Sequence, residues 1–339
     1  MSSKNIAPVQ NALLPSSKNP PPDNPLLDVR NLQVVYLTKR GTVKAVDDVS
    51  FAIQPGEVVG LAGESGSGKS TIAHAILRIL HPPALITGGQ VLFKGRDVME
   101  MNDAELGQFR WSKISIVFQS AMNALNPVMK IRDQLTDVMV HHGLSKADAN
   151  TRALNLFKLV GIDPQRLDTY PHQLSGGMRQ RAVIAIALAL DPPILIMDEP
   201  TTALDVVVQK DILQQISVLR EKLGFSILFI THDLSLLVEI STRIAIMYAG
   251  EIVERAPARE LFETPLHPYT LGLMNSFPSI SGLKHKLTGI PGSPPDLIDV
   301  PTGCRFHPRC PKVMAICSKT VPGIKFISSD HSVSCHLFN

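Results

Sequence analysis

Three short stretches carry residues whose types and spacing suit phosphate chemistry. Gly63-Glu64-Ser65-Gly66-Ser67-Gly68-Lys69-Ser70, followed by Thr71, fits the P-loop pattern. Glycines there let backbone N–H groups turn inward around phosphate, and a following helix N-terminus adds a favourable dipole. Lys69 is expected to reach the β- and γ-phosphates, and the Ser70 hydroxyl to bind Mg²⁺. The second stretch, Ile194-Leu195-Ile196-Met197-Asp198-Glu199, ends an apolar run in two carboxylates. Asp198 is expected to hold the Mg²⁺ shell, and Glu199 to orient and polarise the attacking water. Acidic residues after a strand also serve as helix N-caps, which would account for one carboxylate and leave the other free. Together the two stretches imply hydrolysis of a nucleoside triphosphate.

The third stretch is Leu174-Ser175-Gly176-Gly177-Met178-Arg179-Gln180-Arg181, which opens an apolar helix over 182–190. Ser and two Gly at a helix start form a second anion-binding nest. A plain N-cap with flexible glycines is the simpler reading. A single P-loop fold needs one such nest, so the second suits a nucleotide held by another subunit.

These residues need a scaffold. Val58-Val59-Gly60-Leu61-Ala62 is a short apolar run of the buried parallel kind. It leads into the glycine-rich turn and then a helix expected over Ser70–Leu80. Leu32–Tyr36, Val49–Ile53, Val91–Phe93, Ile114–Phe118, Ile194–Met197 and Ser226–Ile230 read as further strands. Residues 127–190 read as mostly helical. Strands alternating with helices imply an α/β fold around a largely parallel sheet. From Pro257 prolines cluster and helix signals thin out, which suggests a separate appendage.

Composition narrows the class. The chain has 339 residues, with 33 Lys plus Arg against 30 Asp plus Glu and a formal charge of +3. A hydrophobic content of 44% and a charged content of 19% suit a folded protein. The charge is uneven: residues 1–25 carry a net +1, residues 301–339 a net +4, and the middle a net −2. A nucleic-acid-binding core would hold the basic excess itself, so no nucleic-acid partner is expected. Residues 1–25 contain six prolines and no apolar run of signal length, and read as a disordered leader. The longest oily region, Ala182–Met197, is broken by Asp191-Pro192-Pro193 and falls short of the ~20 residues that cross a bilayer. A reducing cytosol is expected, with any membrane role coming through a partner.

In this order the motifs resemble those of the ATP-binding subunits of ABC transporters, from about Leu26 to Arg255. The P-loop is Gly63–Ser70, and the family signature is Leu174-Ser175-Gly176-Gly177-Met178. Ala203-Leu204-Asp205 matches the D-loop, Thr231-His232-Asp233 contains the switch histidine, and Gln119 matches the Q-loop glutamine. Tyr36 sits where the family has an aromatic that stacks on adenine. The resemblance implies a P-loop ATPase core with an antiparallel β subdomain and an inserted helical subdomain at about 120–180. It implies two protomers, identical or homologous, paired head to tail around two ATP molecules. Each site would use Lys69, Ser70, Gln119, Asp198, Glu199 and His232 from one protomer, with Ser175, Gly176 and Gly177 from the other. Gln119 would sense the γ-phosphate and join Ser70 and Asp198 at Mg²⁺. His232 would contact the γ-phosphate and help hold the attack geometry.

A narrower resemblance lies outside the core. Gln119-Ser120-Ala121-Met122-Asn123-Ala124-Leu125-Asn126-Pro127 is similar to the Q-loop of dipeptide and oligopeptide importer ATPases. Leu266-His267-Pro268-Tyr269-Thr270 matches a hallmark of the same group. Gly303-Cys304 through Cys310-Pro311, then Cys317 and Cys335, matches their C-terminal extension, and the D-type subunit is the nearest pattern. Nickel and glutathione importers share much of it, and a non-transport ABC-type ATPase is the further alternative. Import implies two transmembrane permease subunits, docked through about residues 119–175. It also implies an extracytoplasmic solute-binding protein acting indirectly, and a peripheral position on the cytoplasmic face of the cell membrane. The expected division is a leader over 1–25, an ATPase domain over 26–256, and a cysteine-containing extension over 257–339.

All four cysteines lie in the last 36 residues, spaced C-x5-C-x6-C-x17-C. Disulfides are disfavoured in a reducing cytosol. Four thiolates suit a [4Fe–4S] cluster, an anion that a local +4 would help hold, and the resemblance points the same way. Zn²⁺ comes second, since zinc sites usually contain a pair two to four residues apart. Unliganded structural thiols come third.

Overall fold

The computed structural model describes residues 25–119, 124–202, 204–276 and 289–339. The leader up to residue 24, residues 120–123 of the Q-loop and Ala203 of the D-loop lie outside the described residues.

In chain order, β1 (Leu27–Thr38) and β2 (Gly41–Ile53) form a hairpin, followed by β3 (Val58–Ala62) and α1 (Lys69–Ile76). Then come β4 (Ala84–Phe93), β5 (Arg96–Asp97), α2 (Asp103–Phe109) and β6 (Ile114–Val117). A helical stretch follows: α3 (Ile131–His141), α4 (Lys146–Leu159) and α5 (Gly176–Ala187). The chain returns through β7 (Ile194–Asp198), α6 (Val206–Leu223), β8 (Ser226–Thr231), α7 (Leu234–Ile240) and β9 (Arg243–Tyr248). It ends in β10 (Glu251–Pro257), α8 (Ala258–Glu263), α9 (Pro268–Asn275), β11 (Lys325–Phe326) and β12 (Ser332–Val333).

Two sheets result. The smaller is antiparallel, in the order β2-β1-β4-β5. The larger runs β11-β12-β10-β9-β3-β8-β7-β6, with the five strands from β9 to β6 parallel. Its central strands are buried throughout because both faces are covered. Side chains of alternating direction feed two separate cores. Ile194 and Ile196 of β7, Leu228 and Ile230 of β8, and Val59 and Leu61 of β3 face α1 and the small sheet. Leu195 and Met197, Ile227 and Phe229, and Val58 face the opposite core, which includes the helical region.

Two differences from expectation have local causes. The first helix stops at Ile76 rather than Leu80, because Arg78 turns into the left-handed region at φ 50°. Its guanidinium then donates to the Met101 and Val98 carbonyls. The chain after Pro257 does not hang apart from the core. β12 pairs with β10, so the cysteine-bearing segment extends the main sheet at its edge.

That edge is pinned from inside. His331 is fully buried, with Nε2 2.8 Å from Glu254 Oε1 and Nδ1 2.8 Å from Glu260 Oε1. Glu254 also accepts the backbone N–H groups of Leu266 and His267. Neutral His267 Nδ1 in turn accepts the Tyr269 N–H and caps α9. Burial lowers the pKa of His267 to about 3, which keeps that acceptor unprotonated.

Candidate functional site

The sheet order explains how distant residues meet. β3, β8 and β7 are neighbours and parallel, so their carboxyl ends open on one side. The P-loop follows β3, His232 follows β8, Asp198 ends β7 with Glu199 next, and Gln119 comes just past β6. A cavity of about 430 Å³ lies there, lined by Gly63, Glu64, Ser65, Gln119, Glu199 and His232, with Leu273, Ser276 and Ile290 on one wall.

The P-loop depends on its glycines. Gly68 is the N-cap of α1 at φ 103°, and a Cβ there would overlap the Ala45 carbonyl oxygen. Lys69 is 5% exposed and folds back over the loop. Its Nζ donates to Gly63 O at 2.7 Å, Glu64 O at 2.8 Å and Ser67 Oγ at 3.3 Å. Burial lowers its pKa, and Glu199, Asp198 and Glu64 act in the opposite direction. Gly66 and Ser65 complete the turn, and Thr71 Oγ1 lies 3.2 Å from the Tyr36 hydroxyl. Tyr36 is thereby held beside the start of α1.

Ser70 Oγ donates to Asp198 Oδ1 at 3.0 Å. Burial raises the Asp198 pKa, while the Ser70 hydrogen bond works against that shift. A hydroxyl beside one carboxylate fits Mg²⁺, which takes few protein ligands and fills its octahedron with water and phosphate oxygens. Gln119 is set differently from the expectation. Its Nε2 donates to Glu199 Oε2 at 3.2 Å rather than joining Ser70 and Asp198.

Glu199 is the most constrained residue of the site. Its backbone sits at φ 45°, an uncommon conformation for a residue with a side chain, and its N–H donates to Ile230 O. Oε1 lies 3.1 Å from His232 Nδ1. Oε2 accepts from Gln119 and, at 2.9 Å, from Thr202 Oγ1. The carboxylate is therefore fixed at the mouth of the cavity. The sequence reading did not single out Thr202, whose position three residues on was the only signal for it.

Ser175 caps α5 by accepting the Met178 N–H, and neither it nor Gly176 and Gly177 lines this cavity. A Cβ on Gly177 would press on Val208 Cγ1.

Cys304, Cys310, Cys317 and Cys335 are free thiols. Among the described residues no group of three or more His, Cys, Asp or Glu is set to hold a metal ion. The expected centre is not formed at ion-binding distances. The thiols are nonetheless neighbours. Cys304 N donates to Cys317 O at 2.8 Å. The Cys317 sulfur accepts the Met314 backbone N–H at 3.5 Å. Burial pushes Cys304 up to about 11 and raises Cys310 and Cys335 as well.

Arg309 went unflagged in the sequence. It reaches from the cysteine segment to the P-loop and forms a two-pronged pair with Glu64, at 2.7 and 3.0 Å. Tyr269, the last residue of the His-Pro-Tyr triplet, accepts the Glu64 backbone N–H at 2.9 Å.

The chain matches two family models: "ABC transporter" over residues 46–202, and "Oligopeptide/dipeptide transporter, C-terminal region" over residues 253–317. It is 45% identical over 316 residues to the dipeptide transport ATP-binding protein DppD of Bacillus subtilis, covering 92% of this chain and 94% of that one. It is 42% identical over 310 residues to the oligopeptide transport ATP-binding protein OppD of Salmonella typhimurium, covering 91% and 92%. Among solved structures it resembles the dimeric MJ0796 bacterial ABC transporter cassette, at 30% identity and a TM-score of 0.61, over 69% of this chain and 99% of that one. A post-hydrolysis dimer of the same cassette, bound to ADP and phosphate, matches equally well.

Proposed function

Since the chain belongs to the ABC transporter ATPase family and carries that family's oligopeptide/dipeptide C-terminal region, we propose that it is the ATP-hydrolysing subunit of a dipeptide or oligopeptide importer. The observation that carries the hydrolytic part is the Glu199 carboxylate, held by His232, Gln119 and Thr202 at the mouth of the P-loop cavity. Lys69 and the P-loop N–H groups hold the phosphates. Ser70 and Asp198 would hold Mg²⁺, while Gln119 supports the Glu199 carboxylate beside them. A Mg²⁺ ion held by Ser70 and Asp198 would supply neutralisation of the charge that develops on the phosphates. Glu199 orients the attacking water and polarises it, and His232 keeps the carboxylate from rotating away. Tyr36 offers its ring to the adenine.

The signature nest of Ser175, Gly176 and Gly177 acts on the nucleotide of a second ATPase subunit, identical or related. Its absence from the lining of this chain's own cavity supports that reading. Among the described residues no helix is long and apolar enough to cross a membrane. The position on the cytoplasmic face therefore comes through two permease subunits docked near residues 119–175, with an extracytoplasmic binding protein delivering the solute.

The division into a leader over 1–25, a cassette over 26–256 and an extension over 257–339 belongs to the same reading. For the extension we infer a [4Fe–4S] cluster on Cys304, Cys310, Cys317 and Cys335. Four free thiols in one C-terminal segment, two of them joined by the Cys304 N–H to Cys317 carbonyl hydrogen bond, are the donor set that supports it. Iron and sulfide analysis of anaerobically purified protein tests it, and zinc in place of iron overturns it.

The transport reading is tested in vesicles holding the assembled complex. ATP-driven uptake of di-, tri- or longer peptides is expected. Uptake of nickel or glutathione with no peptide uptake would replace the cargo, and ATP hydrolysis unlinked to any permease would replace the role.

A further inference from the structure

The second residue of the P-loop is held from behind by two groups of the C-terminal region. Tyr269 Oη takes the Glu64 backbone N–H, and Arg309 takes the Glu64 carboxylate with both nitrogens of its fork. The Arg309 side chain is 6% exposed and fixed on every side. Its Nε donates to Pro291 O at 2.8 Å, and its guanidinium lies over the Tyr248 ring, 5.8 Å from the centroid. A bidentate, stacked arginine is a rigid device that lysine does not reproduce.

Glu64 needs such a partner. It lines the cavity, and its charge is felt by Lys69. A carboxylate beside the phosphate cradle opposes a polyphosphate anion. We propose that Arg309 is a positioning residue for ATP, cancelling the charge of Glu64 so that the P-loop meets the phosphates as a net cation. Arg309 does not itself line the cavity, and acts through Glu64, which does. This rests on ATP as the ligand of the loop.

Charge cancellation and simple bracing predict different outcomes. Arg309→Met and Glu64→Gln break the same contact. Only the first leaves an unneutralised carboxylate at the cradle. The full chain is titrated with a fluorescent ATP analogue and Mg²⁺, after circular dichroism has confirmed folding. Wild-type binding checks the nucleotide reading itself, and its absence would overturn that reading and this proposal with it. Given wild-type binding, Arg309→Met is expected to weaken affinity about tenfold at low salt, and less at high salt where charge is screened. Glu64→Gln, which removes the carboxylate and leaves the Arg309 charge in place, is expected to shift affinity the opposite way, toward tighter binding at low salt. The double variant is expected to recover to within threefold. Arg309→Gln is read in parallel, so that misfolding of one variant does not decide the outcome. Equal weakening by Arg309→Met and Glu64→Gln, with no recovery in the double variant, would overturn the proposal, as would unchanged affinity in a folded Arg309→Met.

Discussion

His232 Nδ1 lies 3.1 Å from one oxygen of Glu199, while Gln119 Nε2 lies 3.2 Å from the other. The two contacts come from the ends of different strands and set the carboxylate in a single orientation. Replacing Glu199 by Gln keeps the shape and most of the hydrogen bonding, and removes the carboxylate proposed as the base. ATP binding is expected to persist, while turnover falls by roughly 10²–10⁴-fold, the usual contribution of a positioned base. The closed dimer should then accumulate with MgATP. Phosphate release and size-exclusion chromatography measure both effects, and wild-type turnover would remove Glu199 from its role.

The P-loop glycines are not equivalent. Gly66 and Gly68 both have positive φ, yet a Cβ on Gly66 meets open space, while one on Gly68 meets the Ala45 backbone. Gly66→Ala is expected to cost about 1–3 kcal/mol from strain alone. Gly68→Ala adds a backbone shift at the start of α1 and should cost more and abolish nucleotide binding. Urea denaturation of the two variants compares them directly. A smaller loss for Gly68→Ala would contradict the structure.

The buried pair of Glu254 and His331 gives a third test. Glu254→Ala leaves His331 Nε2 and two backbone N–H groups without their partner, while His331 Nδ1 keeps Glu260. A loss of about 3–5 kcal/mol is expected, as for other broken buried pairs. Replacing both residues together, Glu254→Met with His331→Leu, should recover part of it. Proteolysis of the C-terminal segment should follow the same order.

Acid stability should depend on His267. Its pKa in the folded protein, about 3, lies below the ordinary value of 6.5. As pH falls through 6.5 the unfolded chain takes up a proton that the folded one refuses. This contribution to stability is complete above 6.5 and is lost toward pH 3, at about 1.4 kcal/mol per unit. His267→Asn retains a capping oxygen without the titration. Its melting temperature should fall less steeply than wild type between pH 6.5 and 4, and parallel slopes would exclude His267 as the cause.

The cassette was readable because its signals are local. β3, the glycine turn and Lys69 are contiguous, and the apolar run of β7 leads straight into Asp198 and Glu199. Other parts had no local signature. β11 and β12 are two residues each, too short to show alternation, and the pairing of β12 to β10 goes with burial of His331 rather than with propensity. Cysteine spacing gave a donor set without its geometry. The His-Pro-Tyr triplet stood out as a pattern, while the contact of Tyr269 with the loop arises only in three dimensions. Arg309 read as one more charge in a basic tail, because an ion pair with a distant partner leaves no mark on its neighbours in sequence.

That distance has a consequence in time. Glu64 and Arg309 are 245 positions apart. A ribosome adding about 5–20 residues per second makes the loop roughly 12–50 s before its brace. The nascent cassette therefore folds with its phosphate cradle still carrying an unanswered negative charge. On the proposal that Arg309 cancels the Glu64 charge, a chain stalled before Arg309 should hold ATP less tightly than one that has passed it.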